Sequence, residues 1–213
     1  MADLTSIRTD YAREGLHERD LEPSPLAQLE KWQNEAILAK HPEPTAMMLA
    51  TASADGEPAA RVVLLKGLDE RGLVFFTNYE SDKGRQLADN PRASAVFFWV
   101  LLERQARVSG TVVQVAREET EAYFRSRPRE SQLGTWASAQ SSVLAGREAL
   151  ETRLEEVRAR FGSGDVPCPP MWGGYRLVPD RIEFWQGRPS RLHDRLRYTR
   201  KSDASWLIER LSP

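Results

Sequence analysis

With 213 residues the chain suits one domain, and its 30 basic and 31 acidic side chains nearly cancel, which excludes a charge-driven attraction of the whole chain to nucleic acid or to a membrane surface. One cysteine excludes an intrachain disulfide, and the three histidines lie too far apart for ligand spacing, so we predict no metal site. No stretch approaches the roughly 18 apolar residues of a membrane span and no signal-type apolar region opens the chain, so we predict a cytoplasmic protein.

Residues 1–24 are polar and are predicted to form an N-terminal arm or a lid, with composition favouring the arm, while residues 25–213 are predicted to form one domain. Apolar residues at 26, 29, 32 and 36 have a helical period. Three strands at 46–53, 58–66 and 73–77 then follow at hairpin-like spacing and are predicted to form a meander.

The middle strand of that meander contains Arg61-Val-Val-Leu-Leu-Lys66, an apolar run with a cation at each end. An apolar run of this length is typical of a buried strand. Alternation places Arg61 and Lys66 on opposite faces, so the strand must bend or lie at a rim if both bind one ligand. The alternative is that both side chains extend to water.

The later elements continue the pattern of short strands with inserted helices. Ser81 is predicted to cap a short helix that ends before Pro91, and Pro128 can open a turn or helix after residue 127. The remaining predicted strands are 93–101, 104–115, 172–178, 181–186, 195–199 and 205–210, and the remaining helices are 117–127 and 146–161. Eight or so strands at this spacing favour a small β-barrel decorated by helices.

Local clusters of arginine in a neutral chain indicate a small anion such as a phosphate. Tyr123 and Arg127 are four residues apart on a predicted helix, and Ser131 follows the proline turn. A phenol, a guanidinium and a hydroxyl at one place could clamp a phosphate. The alternative is a solvated helix end with Tyr123 in the core.

A second candidate is Arg191-Leu-His-Asp-Arg195, in which flanking cations disfavour the protonated form of His193. A neutral His193 could hydrogen-bond a ligand hydroxyl or ring oxygen, although a basic turn between strands would look the same. Nearby, Trp185 lies on the strand face opposite Phe184, where an indole could stack on a planar ligand, fill a subunit contact or simply pack.

Several stretches, taken together and in order, resemble the pyridoxine/pyridoxamine 5′-phosphate oxidases from about residue 8 to residue 213. They are Arg61-Val-Val-Leu-Leu-Lys66, Phe75-Phe-Thr-Asn78, Glu103-Arg-Gln105, Ser126-Arg-Pro-Arg-Glu-Ser-Gln-Leu-Gly134, Gln140-Ser-Ser142, Trp172-Gly-Gly-Tyr175, Glu183-Phe-Trp-Gln-Gly187 and Arg191-Leu-His-Asp-Arg195.

The resemblance implies a mainly β fold with added helices, an FMN-binding split β-barrel that forms a homodimer with FMN between the subunits. It also implies oxidation of pyridoxine or pyridoxamine 5′-phosphate to pyridoxal 5′-phosphate, with O2 as acceptor and H2O2 as product. Two alternatives are a flavin reductase of the same barrel class and a non-catalytic protein that binds FMN or pyridoxal phosphate. A nucleic-acid role is not expected, because the arginine clusters lack interleaved aromatic residues.

The resemblance also implies a role for individual residues. The implied FMN-binding residues are Arg61, Lys66, Phe76, Thr77, Lys83, Gln105, Gln140, Ser141, Trp185 and Arg195. The implied substrate-binding residues are Arg8, Tyr11, Lys66, Tyr123, Arg127, Ser131, Arg191 and His193, with Arg8 and Tyr11 in a lid and with Arg191 and His193 as the catalytic pair. The chain departs from the family at Asp82, where a phosphate-binding arginine is usual, and this predicts weaker FMN retention unless Arg85 substitutes.

Overall fold

A computed structural model describes Thr5 and residues 11–213. The helices are α1 (Pro25–Leu38), α2 (Asp82–Asp89), α3 (Arg117–Ser126), α4 (Arg129–Ala137) and α5 (Arg147–Phe161). The strands are β1 (Ala46–Ala52), β2 (Pro58–Leu64), β3 (Gly67–Asp69), β4 (Gly72–Asn78), β5 (Arg92–Trp99), β6 (Arg104–Gln114), β7 (Trp172–Gln186), β8 (Asp194–Arg200) and β9 (Trp206–Arg210). The mainly β fold with added helices is therefore confirmed.

The strands form one antiparallel sheet in the order β2-β1-β5-β6-β7-β4-β3, with β8 on β7 and β9 on β8. The prediction of two separate strands at 172–178 and 181–186 was wrong, because β7 runs unbroken through Pro179. The β6–β7 register shifts between Ser109 and Gly110, and this bulge accommodates the proline, which has no N–H to donate. The first half of β7 pairs with β4 and the second half with β8, so β7 holds the two parts of the sheet together.

Only the first hairpin of the predicted meander is confirmed: β1 pairs with β2, whereas β4 pairs with β7 and β3 and does not pair with β2. The chain bends after β2: the Leu65 N–H donates to Thr45 O at 2.9 Å, and the Lys66 N–H donates to Val74 O at 2.8 Å. The segment from β2 to β3 therefore leaves β1 and joins β4, and it connects the two ends of the sheet. This bend explains how one side can receive both Arg61 and Lys66.

The expected burial of β2 holds for only one of its faces. Val63 and Leu65 point toward the core, but Val62 is 64% exposed and Leu64 is 40% exposed. An apolar run predicts burial on both faces, whereas the chain by itself covers only the inner face. In register with Val62, the same outer face carries Met48 and then Val96 on the neighbouring strands.

The inner face of the sheet forms the main core together with α1. Ala106, Val108 and Val112 are buried on β6, as the alternation predicts, and Trp32 of α1 packs edge-on against Phe184 at 5.0 Å. Each such buried large side chain contributes roughly 1.5–3 kcal/mol of hydrophobic stabilisation. A smaller apolar cluster lies between β7 and the helices α3–α5, and its buried members are Phe124, Leu133, Val166 and Trp172.

Helix α2 sits close to the sheet because of a glycine. A Cβ at Gly84 would lie 2.1 Å from the Tyr79 carbonyl oxygen, so only glycine allows this approach. Ser81 caps the helix as predicted, since its side chain accepts a hydrogen bond from the Gly84 N–H. The preceding strand and this helix together fix the backbone that carries Lys83.

Candidate functional site

A cavity of about 380 Å³ lies at the bend between β2 and β3. Twelve described residues line it, and four of them are cations while none carries a carboxylate: Arg61, Val62, Val63, Leu64, Lys66, Phe76, Thr77, Lys83, Tyr123, Arg127, Gln140 and Trp172. Within the described part of the chain, none of these four cations forms a salt bridge, whereas many other arginines do. We call this feature the cationic cavity.

Arg61 is held in the cationic cavity by neutral oxygen atoms. Its Nη1 lies 2.5 Å from Thr51 Oγ1 and 3.3 Å from Leu49 O, and its Nη2 lies 3.3 Å from Gln86 Oε1. Burial lowers the pKa of Arg61, while the nearby Asp82 carboxylate acts in the opposite direction. Because Thr51 and Gln86 are neutral, they orient the Arg61 guanidinium without neutralising its positive charge.

Lys83 is buried, with 9% of its surface exposed, and its hydrogen-bond partners among the described residues are also all neutral. Its Nζ lies 2.8 Å from Gln140 Oε1 and 3.2 Å from both Thr77 Oγ1 and Ser81 Oγ. Burial lowers the pKa of Lys83 and the Arg61 charge lowers it further, while Asp82 raises it. A buried ammonium group without a counterion is costly, and an anion in the cavity would offset that cost.

Three aromatic rings form one wall of the cationic cavity. Phe76 stacks on Tyr123 at 4.0 Å with an interplanar angle of 22°, and on Trp172 at 5.4 Å with an angle of 13°. Gly174 leaves space for the Phe76 ring, because a Cβ at this position would lie only 2.8 Å from the ring. Sequence reasoning did not select Trp172 as a site residue, although it stands in a recognised motif.

Arg127 and Tyr123 meet in the cavity as predicted, although α3 ends at Ser126 and Arg127 has an extended backbone. The Arg127 guanidinium lies 4.7 Å from the centre of the Trp172 ring and donates to Thr135 Oγ1 at 2.8 Å. Burial lowers the pKa of Arg127 and raises the pKa of Tyr123, and in each case the partner opposes the shift. Both side chains therefore pack in the cavity wall and do not form a solvated helix end, while the phosphate clamp itself stays a prediction.

Two predicted residues lie beside the cationic cavity rather than on its wall. Ser131 lines an adjoining cavity of about 200 Å³ that shares Arg127, Gln140 and Trp172 with the main one. Ser141 accepts a hydrogen bond from the Asp82 N–H at 3.3 Å, and its φ of 73° is unusual for a residue other than glycine.

A second group of predicted residues lies on the outer face of the sheet. Gln105, Trp185 and Arg195 are cross-strand neighbours on β6, β7 and β8. The centre of the Trp185 ring lies 5.6 Å from the centre of the Tyr11 ring and 4.7 Å from the centre of the His193 ring. We call these five residues, together with Arg191, the Trp185 cluster.

The turn before β8 fixes the orientation of His193. The Arg188 N–H donates to His193 Nδ1 at 3.0 Å, so the neutral ring carries its proton on Nε2 and can donate from there. Ser190 and Arg191 both have left-handed backbones, with φ of 58° and 61°. Left-handed residues other than glycine cost about 1–3 kcal/mol each and concentrate at functional sites.

Two carboxylates dock the segment that carries Tyr11. Glu103 Oε2 accepts the N–H groups of Ala12 at 3.0 Å and Arg13 at 3.1 Å, and Asp194 Oδ2 accepts the Leu16 N–H at 3.0 Å. The described part of the predicted arm is thus attached to the turn that holds His193. Arg8 lies outside the described residues, so its place in a lid stays a prediction.

The two groups of residues do not meet within one chain. A single row of paired residues crosses the outer face from Val62 through Met48, Val96 and Arg107 to Glu183. Four strand spacings separate its ends, which is roughly 19 Å along the sheet. The cationic cavity lies at the first end and the Trp185 cluster at the other.

Comparison with known proteins identifies the family. Residues 33–161 match the model of the pyridoxamine 5′-phosphate oxidase family, and residues 172–213 match that of the pyridoxine 5′-phosphate oxidase C-terminal dimerisation region. The chain belongs to the pyridoxamine 5′-phosphate oxidase family. Pyridoxine/pyridoxamine 5′-phosphate oxidases of Paraburkholderia phymatum and Cupriavidus taiwanensis are 56% and 55% identical to it, each over the whole of both chains.

Solved structures agree with membership of the pyridoxamine 5′-phosphate oxidase family. PhzG from Burkholderia lata, crystallised with tetrahydrophenazine-1-carboxylic acid, is 34% identical, with a TM-score of 0.90 over 96% of this chain and 100% of that one. An FMN-binding family relative from Nostoc punctiforme, with 18% identity and a TM-score of 0.71 over 91% of this chain and 100% of that one, shares the fold. The chain is therefore an oxidoreductase with the predicted split-barrel fold. Its described helices are all too short or too polar to cross a membrane.

Proposed function

We propose that this family member is an FMN-dependent oxidase that converts pyridoxine or pyridoxamine 5′-phosphate to pyridoxal 5′-phosphate, with O2 as acceptor and H2O2 as product. With pyridoxamine 5′-phosphate, the reaction also consumes water and releases ammonia. The observation that carries the proposal is the cationic cavity, where four cations without carboxylate partners stand beside a wall of stacked rings. Such a site suits phosphorylated aromatic molecules, since guanidinium groups match phosphate oxygens and rings stack on rings.

The residues present fit FMN. Arg61 and Lys83 offer charge-assisted donors to a phosphate group, with Thr77, Gln140 and Ser141 supplying further polar atoms at the same end. These positive groups are already oriented by neutral partners, so binding a phosphate breaks no salt bridge among the described residues. Bound FMN would supply the redox chemistry, as a hydride acceptor that O2 can reoxidise, while the protein would supply binding and orientation.

The substrate would be held at two ends. Lys66, Tyr123, Arg127 and Ser131 would bind its phosphate, and Arg191 and His193 would contact its ring. Because the Arg188 N–H occupies His193 Nδ1, the Nε2–H is free to donate to the ring hydroxyl oxygen. Fixing both ends orients the reacting carbon, and orientation is a large part of the rate enhancement in such reactions.

One copy of the chain cannot supply both ends, so the proposal requires a homodimer. The outer face between the cationic cavity and the Trp185 cluster carries exposed Met48, Val62 and Phe98. A two-fold contact across this apolar face would bring the Trp185 cluster of each copy to the cationic cavity of the other. The matched dimerisation region, residues 172–213, includes Trp185, Arg191, His193 and Arg195.

The first experiment compares Arg127→Gln with Arg129→Gln. Arg129 is a matched control because its guanidinium bonds to Gly162 O and Gly164 O, and it does not line the cavity. H2O2 release with pyridoxamine 5′-phosphate should show a KM raised more than about tenfold for the first variant only, since a charge-assisted contact to phosphate is worth about 1.5–3 kcal/mol. Equal KM values in both variants would contradict the clamp.

Subunit mixing tests the composite site. Arg127→Gln and His193→Ala should each be poorly active alone, but random mixing should restore about a quarter of the wild-type activity, because half of the dimers then contain one intact site. A mixture no more active than its parts would refute the shared site.

Two rival functions give other outcomes. A flavin reductase would oxidise NAD(P)H without needing the phosphate clamp, and a binding protein would retain FMN or pyridoxal phosphate without consuming O2. An absorbance spectrum and an oxygen electrode, with pyridoxamine 5′-phosphate and NADPH as separate substrates, distinguish these cases. A yellow protein that consumes O2 only with the phosphorylated vitamin supports the oxidase.

A further inference from the structure

Glu183 is a buried acid on the outer side of β7, beside the Trp185 cluster. Its side chain is 3% exposed, and its cross-strand neighbours are Arg107 on β6 and Arg197 on β8. Buried carboxylates are rare unless they are paired, so the partners of this one indicate what it does.

The two carboxylate oxygens of Glu183 have different partners. Oε2 lies 2.5 Å from Arg107 Nη2, whereas Oε1 lies 2.9 Å from both Nε and Nη2 of Arg195. Arg195 Nη1 donates in turn to Ser212 O at 3.0 Å. The Arg195 guanidinium is therefore held along one edge by Glu183 and at the opposite nitrogen by the C-terminal segment.

This arrangement fixes Arg195 next to Trp185, its Cα partner on β7. A planar guanidinium held at three of its nitrogens cannot rotate, unlike the same side chain in water. The acid contacts neither the cationic cavity nor any ring of the Trp185 cluster, so it would act only through Arg195.

We propose that Glu183 is a positioning residue for cofactor binding, which holds the Arg195 guanidinium in the orientation that the flavin requires. The inference rests on the proposed function, in which a two-fold contact brings the Trp185 cluster of one subunit, including Arg195, to the FMN site of the other. A buried ion pair often contributes little net stability compared with apolar residues of similar size, so orientation is the better reason for an acid here.

The test measures FMN affinity, by quenching of flavin fluorescence, in Glu183→Gln, Arg195→Gln and Arg107→Gln. An amide oxygen can satisfy only one of the two guanidinium groups, so Glu183→Gln should weaken FMN binding about tenfold, a factor typical of one misplaced charge-assisted contact. Arg107→Gln disturbs the same carboxylate but leaves its bond to Arg195, so FMN affinity should stay within about twofold of the wild type.

Thermal unfolding separates positioning from a purely structural role. Both Glu183→Gln and Arg107→Gln remove the ion pair between these two residues, and Glu183→Gln also weakens the pair with Arg195, so both unfolding midpoints should fall while only Glu183→Gln loses FMN affinity. If Glu183→Gln does not fold, Glu183→Asp keeps the charge but withdraws it from Arg195, and the expected loss of FMN affinity is about threefold.

Three results would overturn the inference. Wild-type or tighter FMN binding by a folded Glu183→Gln or Glu183→Asp, with Arg195→Gln impaired, would reject positioning and leave the proposed function intact. Equal loss of FMN affinity in Arg107→Gln would show a structural role only. Wild-type FMN binding by Arg195→Gln would reject the role of Arg195 itself, and the inference with it.

Discussion

Replacing Asp82 with arginine should strengthen FMN binding. Asp82 is the first residue of α2, its side chain is 62% exposed, and Arg85 Nη2 lies 2.6 Å from its carboxylate. The family resemblance implies a phosphate-binding arginine at this position. The negative charge acts on the cationic cavity, since Asp82 opposes the burial-driven fall in the pKa of both Arg61 and Lys83.

The size of the effect follows from the exposure of the site. A charge-assisted hydrogen bond contributes about 1.5–3 kcal/mol when it is well shielded, and exposure reduces this to about 1 kcal/mol. Asp82→Arg should therefore bind FMN about five to ten times more tightly, with Asp82→Ala between it and the wild type. The gain should shrink as salt is added.

The assay is fluorescence titration of FMN into the protein freed of flavin. Asp89→Arg is the matched control, because Asp89 is exposed at the far end of the same helix and the substitution changes the charge equally. An unchanged or weaker FMN affinity in Asp82→Arg would refute the reasoning, and an equal gain in Asp89→Arg would show a non-specific charge effect. Arg85 does not replace the missing arginine in this structure, because Asp82 and the Glu80 carbonyl oxygen hold it.

Three further predictions concern the fold around the site. Gly84→Ala should lower the free energy of unfolding by roughly 1–3 kcal/mol, because the new Cβ would lie 2.1 Å from a backbone oxygen. Gly134→Ala should raise the free energy of unfolding by about 0.5–1 kcal/mol, because no atom lies within 4 Å of its new Cβ, and thermal unfolding measures both effects. Glu103→Ala should speed tryptic cleavage after Arg13, because two backbone hydrogen bonds are lost. A side-chain hydrogen bond from Arg210 lowers the pKa of Glu18 to about 2, so the stability that Glu18→Gln loses should be fully present well above pH 4.5 and should be lost as the pH falls from there through 2.

Each of these predictions has an outcome that contradicts it. Equal stability of the two glycine variants would show that α2 can move away from the strand without cost. Cleavage after Arg13 as fast in Glu14→Ala as in Glu103→Ala would mean that the anchor is not specific. The Glu18 pair is exposed, so its stabilisation should stay within about 1 kcal/mol, and a stability difference that does not shrink as the pH falls from 5 to 2 would reject it.

Local patterns predicted the elements well but not their pairing. Period-two alternation gave the inner face of β6, and the serine cap gave the start of α2. The pairing of β4 was not predicted. Its partner strand is β7, in which Tyr175, the residue paired with Phe75, lies far along the chain. A short connection between strands normally indicates a hairpin, and nothing in residues 65–72 reveals that this one bends across to close the sheet.

The candidate site divides in the same way. Tyr123 and Arg127 could be predicted to lie close together because only four residues separate them, although the structure places Arg127 just beyond the end of α3. The residues that orient the site cations could not be predicted. Arg61 on β2 donates a hydrogen bond to Thr51 on β1, and Arg127 donates one to Thr135 on α4. Hydrogen bonds of this kind depend on tertiary structure, and a threonine carries no signal in the sequence that it serves a cation.

The distribution of carboxylates suggests which half of a composite site binds which part of a ligand. In the Trp185 cluster, Glu183 forms an ion pair with Arg195, and His193 Nδ1 accepts the Arg188 N–H, so this half suits an aromatic ring system with polar edges. In the cationic cavity, the described hydrogen-bond partners of Lys83 and Arg61 are all neutral oxygens, so no carboxylate is paired with these cations and this half suits phosphate groups. A chain with a net charge of −1 can therefore present a strongly positive pocket, because its acids pair with arginines elsewhere and leave these cations for the ligand.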